Sequence, residues 1–505
     1  MSLLSDFFSE EYNTQRDQWE KSLMSELKLE QVQSKTIKKS LDAGTWPTLS
    51  LESPAVAHLP ATQPWKKAAQ TYVHVNPDKV EAWLNEDLEA GVRAFYFYRE
   101  TMSDKAWTKI QDVIKNYPKK DEVDLFVIGD ESLKTAFEVH GAGGNNAQEL
   151  ALLATKFIES LEEKETTLGV YIDSQFFKNI AKIRALKLLI KKIQDEAHVT
   201  KKTSILGLTS FREWTLFERY SNMLRNDAAV ASAYIAGADS VQSSGYQTLL
   251  EIETGAFDDE HNERSRRMAR NTSHILALES MLGIVQDAAF GSYHLESLSH
   301  QYAKEAWEIM QKILPLKGEE RANFIAELVK PVREARLELV RTRKHVLAGM
   351  NDFPDVKEKL LLSDKPKEKF FRVSREFENI RLMMEKNTKK PKVHIALYGE
   401  YAALSARINF VKNYFELLGL EVNDPSHTKH DFDSFVKDIH GRPEEILVLC
   451  AADDQYPLIQ DKITDIKNPF RFVAGKAEVK GFEAIFGGQN IYAVLEKLAA
   501  QWGQK

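Results

Sequence analysis

Apolar positions in this chain follow two rhythms. Between about residues 73 and 317, short and nearly continuous apolar runs recur at 92–98, 123–129, 167–173 and 203–209. Runs of that length without polar alternation suit strands buried on both faces of a parallel sheet. The stretches between them carry apolar residues three and four apart, clearest at 147–161 and 177–197. That is the period of a helix with one buried face. Alternating strand and helix units imply parallel pairing through crossover helices. The length available predicts a (β/α)8 barrel over residues 71–317, with an open doubly wound sheet as the alternative from pattern alone.

The flanks break this rhythm. Residues 1–70 hold a charged helical stretch at 15–27 and then an irregular one containing Pro47, Pro54, Pro60 and Pro64. This composition predicts an arm lying on another surface, a candidate subunit-contact segment. Residues 318–389 read as a charged helical linker whose charges line solvated helix faces. The basic run around Lys386, Lys389 and Lys390, broken by Pro391, opens a last domain at 390–505. Its clearest strand, 445–451, contains Cys450.

Composition narrows the class. A chain of 505 residues exceeds one ordinary core, so two or three domains are expected. Apolar content of 43% with 28% charged residues is that of a soluble globular protein. A net charge of -7 gives no reason to expect a nucleic-acid or membrane partner. One cysteine excludes an intrachain disulfide and a Cys-rich metal site, and in an apolar strand it reads as a buried, inert thiol. The start of the chain is acidic and lacks the apolar core of a secretory signal, and no run approaches a membrane span. A cytoplasmic location is expected.

Particular motifs carry a stronger signal. The block from Arg270-Asn271-Thr272 through Leu278-Glu279-Ser280, followed by Asp287, Gly291-Ser292-Tyr293 and Glu296, strongly resembles the methylmalonyl-CoA mutases. Tyr220-Ser221-Asn222-Met223-Leu224-Arg225 and Ala484-Ile485-Phe486-Gly487-Gly488 are similar to two further stretches of that family. The resemblance spans about residues 60–500. It implies an acyl-CoA-threaded barrel followed by a flavodoxin-like domain of the kind that holds vitamin B12. It also implies, for one bacterial branch, a heterodimer of a catalytic large subunit and a small subunit with a degenerate site.

The departures from the family pattern point to the small subunit. The family's cobalt-ligand loop carries Asp-x-His-x-x-Gly, whereas here Ala402, Leu404 and Arg407 stand at those positions when counted back from a helix expected at 408–418. Leucine offers a metal no lone pair. The family's substrate-pocket Tyr and His correspond to Phe137 and Glu138, and a Glu beside an anionic substrate opposes its binding. Gln242 stands where the family has another His. Asp453 and Asp454 occupy a strand end where the cofactor's nucleotide tail would run. Gly487 and Gly488 are a weak remnant of the tail site.

The resemblance therefore implies a non-catalytic small (beta) subunit of a heterodimeric, adenosylcobalamin-dependent methylmalonyl-CoA mutase. The holoenzyme would interconvert (R)-methylmalonyl-CoA and succinyl-CoA. The large (alpha) subunit would be the partner and would hold the adenosylcobalamin, leaving no catalytic residue and no metal site here. Two alternatives stay open. A free-standing mutase would need a cobalt ligand from His394, His427, His430 or His440. A mutase-associated chaperone or scaffold would bind the enzyme only transiently. The pair His427 and His430 lies in a polar loop after Pro425 and reads as solvated rather than metal-binding. Arg267 and Arg270 could face a phosphate, although helix flanking explains them as well.

Overall fold

Parallel strands dominate the structure, as the buried apolar runs require. The computed structural model describes residues 77–502 apart from short gaps, the longest at 424–434 and 440–445. Before residue 77 it describes only 21–22, 25, 37–39, 45–47 and 67–72, so most of the expected arm lies outside the described residues. Two short strands there, β1 (Ile37–Lys39) and β2 (Thr45–Pro47), pair antiparallel.

The chain folds as two compact units, each assembled from separated segments. The first comprises Met1–Thr209, Asp227–Ser243 and Arg270–Val332, and the second Ser210–Asn226, Ser244–Ala269 and Arg333–Lys505. The last crossing of the chain between them falls inside the helix Gly318–Arg341, just after Pro331.

The first unit is built on seven strands among the described residues. They are β3 (Lys67–Tyr72), β4 (Ala94–Tyr98), β5 (Asp124–Ile128), β6 (Leu133–Thr135), β7 (Glu165–Ile172), β8 (Lys202–Thr209) and β9 (Ser240–Ser243). Their order is β5-β4-β3-β9-β8-β7-β6, and every pairing is parallel. The first strand of the series thus lies beside the last, from Lys67 opposite Ser240 to Gln70 opposite Ser243. Each remaining strand follows its chain neighbour, except that β5 and β6 share no ladder.

Helices pack against that sheet. Asn146–Glu159, Phe176–Ala197 and Tyr293–Ile313 bury Leu150, Leu153, Phe157, Ile183, Leu186, Tyr302 and Met310 in one continuous core with Leu168, Val170 and Ile172 of β7. The start of Asn146–Glu159 is fixed by a capping box. The Asn145 side chain accepts from the Gln148 N–H at 2.8 Å, and the Gln148 side chain accepts from the Asn145 N–H at 2.9 Å. Both satisfy donors that a helix start leaves open. Asn145→Ala is expected to cost about 1 kcal/mol in urea unfolding. An unchanged midpoint would show that the cap contributes nothing.

The second unit holds a five-stranded parallel sheet of β10 (Val393–Leu397), β11 (Val422–Asn423), β12 (Ile446–Cys450), β13 (Arg471–Ala474) and β14 (Glu483–Ile485). The order β11-β10-β12-β13-β14 is 2-1-3-4-5 in chain order, a doubly wound arrangement. Ligands in such sheets bind outside the carboxyl ends of the strands, at the point where the order reverses. Here that point lies between β10 and β12. Cys450 is fully buried, and burial pushes its thiol up to about 12, which makes it chemically inert as expected.

One boundary differs from expectation. The helix after β10 runs from Tyr401 to Glu416, starting two turns before the expected residue 408. Ala402, Ala403, Leu404 and Ala406 are strong helix formers with no glycine among them. Leu404, Ile408, Val411 and Phe415 then form one stripe at three- and four-residue spacing that enters the core. What remains between strand and helix is a short turn through Tyr398, Gly399 and Glu400, with Gly399 at a φ of 123° that only glycine adopts readily. No helix among the described residues is long and apolar enough to cross a membrane.

Candidate functional site

The mutase-type chemistry would need groups from three places, and each holds something different here. The first is the turn before Asn146–Glu159. Glu138 is exposed and forms an ion pair with Lys156 at 2.6 Å, so its carboxylate is held on the surface. Phe137 is half-buried, its ring 6.4 Å from that of Tyr171.

The buried chemistry lies one turn further on, where sequence reasoning did not look. His140 stacks on Tyr171 with ring centroids 4.0 Å apart, and its Nδ1 lies 3.2 Å from Glu149 Oε2. Glu149 is fully buried, accepts from Lys182 Nζ at 2.7 Å and from the Tyr171 N–H at 3.0 Å. Lys182, also buried, donates in addition to the Tyr171 carbonyl at 2.8 Å. Burial alone would raise the Glu149 carboxyl, but the Lys182 ammonium and the hydrogen bond from His140 hold it at about 2. The group is a closed structural knot that joins two helices to the end of β7. The available signal was a Glu and a Lys each set in an apolar helix face, where charges persist only in pairs.

The second place is the carboxyl end of the seven-stranded sheet. Gln242 on β9 is fully buried. Its Nε2 donates to Tyr98 Oη at 3.1 Å, its Oε1 accepts from the Thr209 N–H at 2.9 Å, and its carbonyl accepts from Thr209 Oγ1 at 3.2 Å. One layer below, Tyr96 Oη donates to Ser240 Oγ at 3.1 Å. Residues two apart on a strand share a face, so Tyr96 and Tyr98 meet Ser240 and Gln242 as stacked pairs. Both ends of the Gln242 amide are thus engaged in joining strands. Arg270 is likewise committed, to buried Asp87 and, at 3.4 Å, to Glu86.

The third place is the crevice beyond the carboxyl ends of β10, β12 and β13. Leu404, which the family resemblance sets opposite a cobalt ligand, lies in the hydrophobic core beside Gly399, while Ala402 is exposed. Arg407 sends its guanidinium to the Ala451 carbonyl, to Asp453 at 2.9 Å and to Tyr456 Oη at 3.4 Å. Tyr456 Oη donates to the Ala474 carbonyl at 2.7 Å. Side chains therefore fill the space just past β12 and β13. A Cβ on Gly475 would stand 3.2 Å from Asp453 Oδ1 and 3.5 Å from Arg407, so little room remains. Gly487 and Gly488 form an exposed turn, and among the described residues nothing lies within 4 Å of where a Cβ would stand.

These residues do not fit a cobalamin. The lower-ligand position has no donor atom, the loop that should present it is helix, and a paired arginine occupies the switch point. Of the four histidines considered as substitutes, His394 is the second residue of β10, roughly 10 Å of extended chain from the carboxyl end. His427, His430 and His440 lie outside the described residues. Among the described residues no group of three or more His, Cys, Asp or Glu could hold a metal ion.

Comparison with known proteins gives a consistent grouping. The family model described as Methylmalonyl-CoA mutase matches residues 137–413, just over half of the chain. A protein of Porphyromonas gingivalis named "Methylmalonyl-CoA mutase small subunit" is 28% identical over 329 residues, covering 61% of this chain and 51% of its own length. One of the same name from Streptomyces virginiae is 28% identical over 411 residues, covering 73% of this chain and 64% of its own length. Another from Propionibacterium freudenreichii subsp. shermanii is 26% identical over 307 residues, or 56% and 47% of the two chains. The chain thus spans between about half and two thirds of the length of these relatives.

Proposed function

The chain belongs to the methylmalonyl-CoA mutase family, and we propose that it serves there as a non-catalytic small subunit. Its partner in this reading is a large subunit that carries the adenosylcobalamin and the acyl-CoA site. The holoenzyme isomerises methylmalonyl-CoA and succinyl-CoA. In this reading the seven-stranded parallel sheet belongs to the family's (β/α)8 barrel over 71–317, the charged helices at 318–389 to a linker, and 390–505 to a flavodoxin-like domain that no longer takes the cofactor. Residues 1–70 serve as a subunit-contact arm. A single, buried cysteine suits a reducing cytoplasm.

The observation that carries this reading is the Arg407 crevice. A degenerate motif could still leave an open pocket, but Leu404 is packed in the core and Arg407 is bound to three groups across the strand ends. To admit a nucleotide tail, that cluster would have to give up the Arg407 contacts that now fill the strand ends. Phe137, Glu138 and Gln242 support the same conclusion in the other unit, since none offers a proton donor aimed at a ligand.

Titration of the purified full chain with adenosylcobalamin, followed by visible spectroscopy, tests it. The free-coenzyme bands are expected to persist unchanged, with no isomerase activity from this chain alone. Tight binding with a base-off, protein-ligated spectrum would overturn the assignment and make the chain an enzyme in its own right.

A further inference from the structure

The segment between the helices Asp259–His274 and Tyr293–Ile313 displays apolar side chains that the described residues of its own unit leave uncovered. Ile275, Leu278, Met281, Ile284, Val285 and Phe290 are between 48% and 59% exposed. All lie within sixteen residues of one another, in the first unit. Six large side chains at half exposure leave on the order of 600 Å² of apolar surface, the upper end of what a whole monomer shows and most of the ~800 Å² per partner of a standard interface.

This is a built surface rather than a loose loop. Leu276, Ala277, Leu282 and Ala289, interleaved with the exposed residues, pack into the core beneath. Turn hydrogen bonds close the segment at Ser280 to Ile275, Leu282 to Leu276, Ile284 to Met281 and Phe290 to Asp287. Arg184, buried on the neighbouring helix, binds Asp287 at 2.9 Å and also Glu296, which pins the far end. Met281 holds a φ of 54°, a conformation that a side chain with a Cβ adopts only when its surroundings impose it. Such preorganisation lowers the ordering cost of association.

We infer that this face, centred on Leu278 and Val285, is where the catalytic large mutase chain docks. The inference rests on the small-subunit reading above and assigns it a surface. The occupant follows from size and rigidity, because a preformed apolar area of this extent needs a folded partner surface. The relatives named small subunits indicate that this partner is an unlike chain of the same family.

The test uses the full chain and the cognate large mutase chain from the same source. Wild type, Leu278→Glu/Val285→Glu and a control Leu224→Glu/Phe353→Glu are titrated against the large chain, with mass by light scattering and folding by circular dichroism. The control residues are each 73% exposed and lie outside this segment. Wild type and control are expected to form a one-to-one complex. The Leu278/Val285 variant should keep its melting curve and lose affinity by roughly 100-fold or more, as central interface anchors do. Unchanged affinity in that variant would overturn the surface and leave the pairing intact. No complex with wild type would overturn the pairing itself. A wild-type chain that is already dimeric alone, and is made monomeric by Leu278→Glu/Val285→Glu, would assign the face to a second copy instead. Exposure of these residues to apolar dye only after removal of residues 1–66 would assign it to the chain's own amino-terminal segment.

Discussion

Replacing Glu149 by Ala is expected to destabilise the protein by about 3–5 kcal/mol, because it leaves the Lys182 ammonium buried without its counter-charge. The loss has three parts. Lys182 forfeits a 2.7 Å ion pair, the Tyr171 N–H forfeits its acceptor, and His140 forfeits the carboxylate beside its Nδ1. Urea unfolding followed by circular dichroism reads this directly, and a change below about 1 kcal/mol would show that the knot is not what joins these helices to β7. The pH dependence follows from the same group. Its folded carboxyl sits at about 2, below the ordinary value of 4.5. A depressed carboxylate contributes stability that is complete above the unfolded value and is lost as pH falls through the folded one. Wild type should therefore lose stability between about pH 4.5 and 2. Glu149→Gln should be less stable at neutral pH and show a shallower fall across that window.

In the second unit, Glu378→Ala is expected to cost a similar ~3–5 kcal/mol, for a related reason. Glu378 and Arg372 are both fully buried, and their ion pair is extended by Glu253, 3.5 Å from Arg372. Burial alone would lower the Arg372 guanidinium, yet Glu378 and Glu253 raise it, so the pair is charged in the fold. The other Glu378 oxygen accepts from the Leu216 N–H at 2.9 Å, while Ser374 Oγ donates to the Trp214 carbonyl at 2.9 Å. The cluster thus fixes the segment after β8, whose Phe211, Trp214, Leu216 and Phe217 are buried. Glu378→Gln keeps an acceptor for Leu216 and should recover part of the loss. Equal destabilisation by Ala and Gln would assign the whole effect to charge. A near-neutral Ala variant would remove the cluster as an organising element.

The apolar runs located the strands because a strand buried on both faces tolerates few polar residues. Runs at 92–98, 123–129, 167–173 and 203–209 became β4, β5, β7 and β8, and the periodic stretches became Asn146–Glu159 and Phe176–Ala197 within a residue or two. β9 was not legible. Its Ser240, Gln242 and Ser243 look like loop residues until Tyr96, Tyr98 and Thr209 are placed against them to satisfy their polar groups. Tyr401–Glu416 begins earlier than a family-type loop would allow, because its first residues have a helical propensity of their own.

The sequence by itself determined the family, the alternation of strand and helix, and that position 404 is a leucine with no donor atom, since side-chain chemistry is local and visible in one letter. The tertiary structure alone decided the rest. It paired β3 with β9, gathered His140, Glu149 and Lys182 from separate elements into one buried knot, and set Arg407 across the strand ends. It also separated the covered from the uncovered apolar residues of the 275–290 segment. Each of these depends on which groups distant in the chain are brought within a few ångströms of one another. Periodicity reports only which face of an element is apolar, not what that face meets.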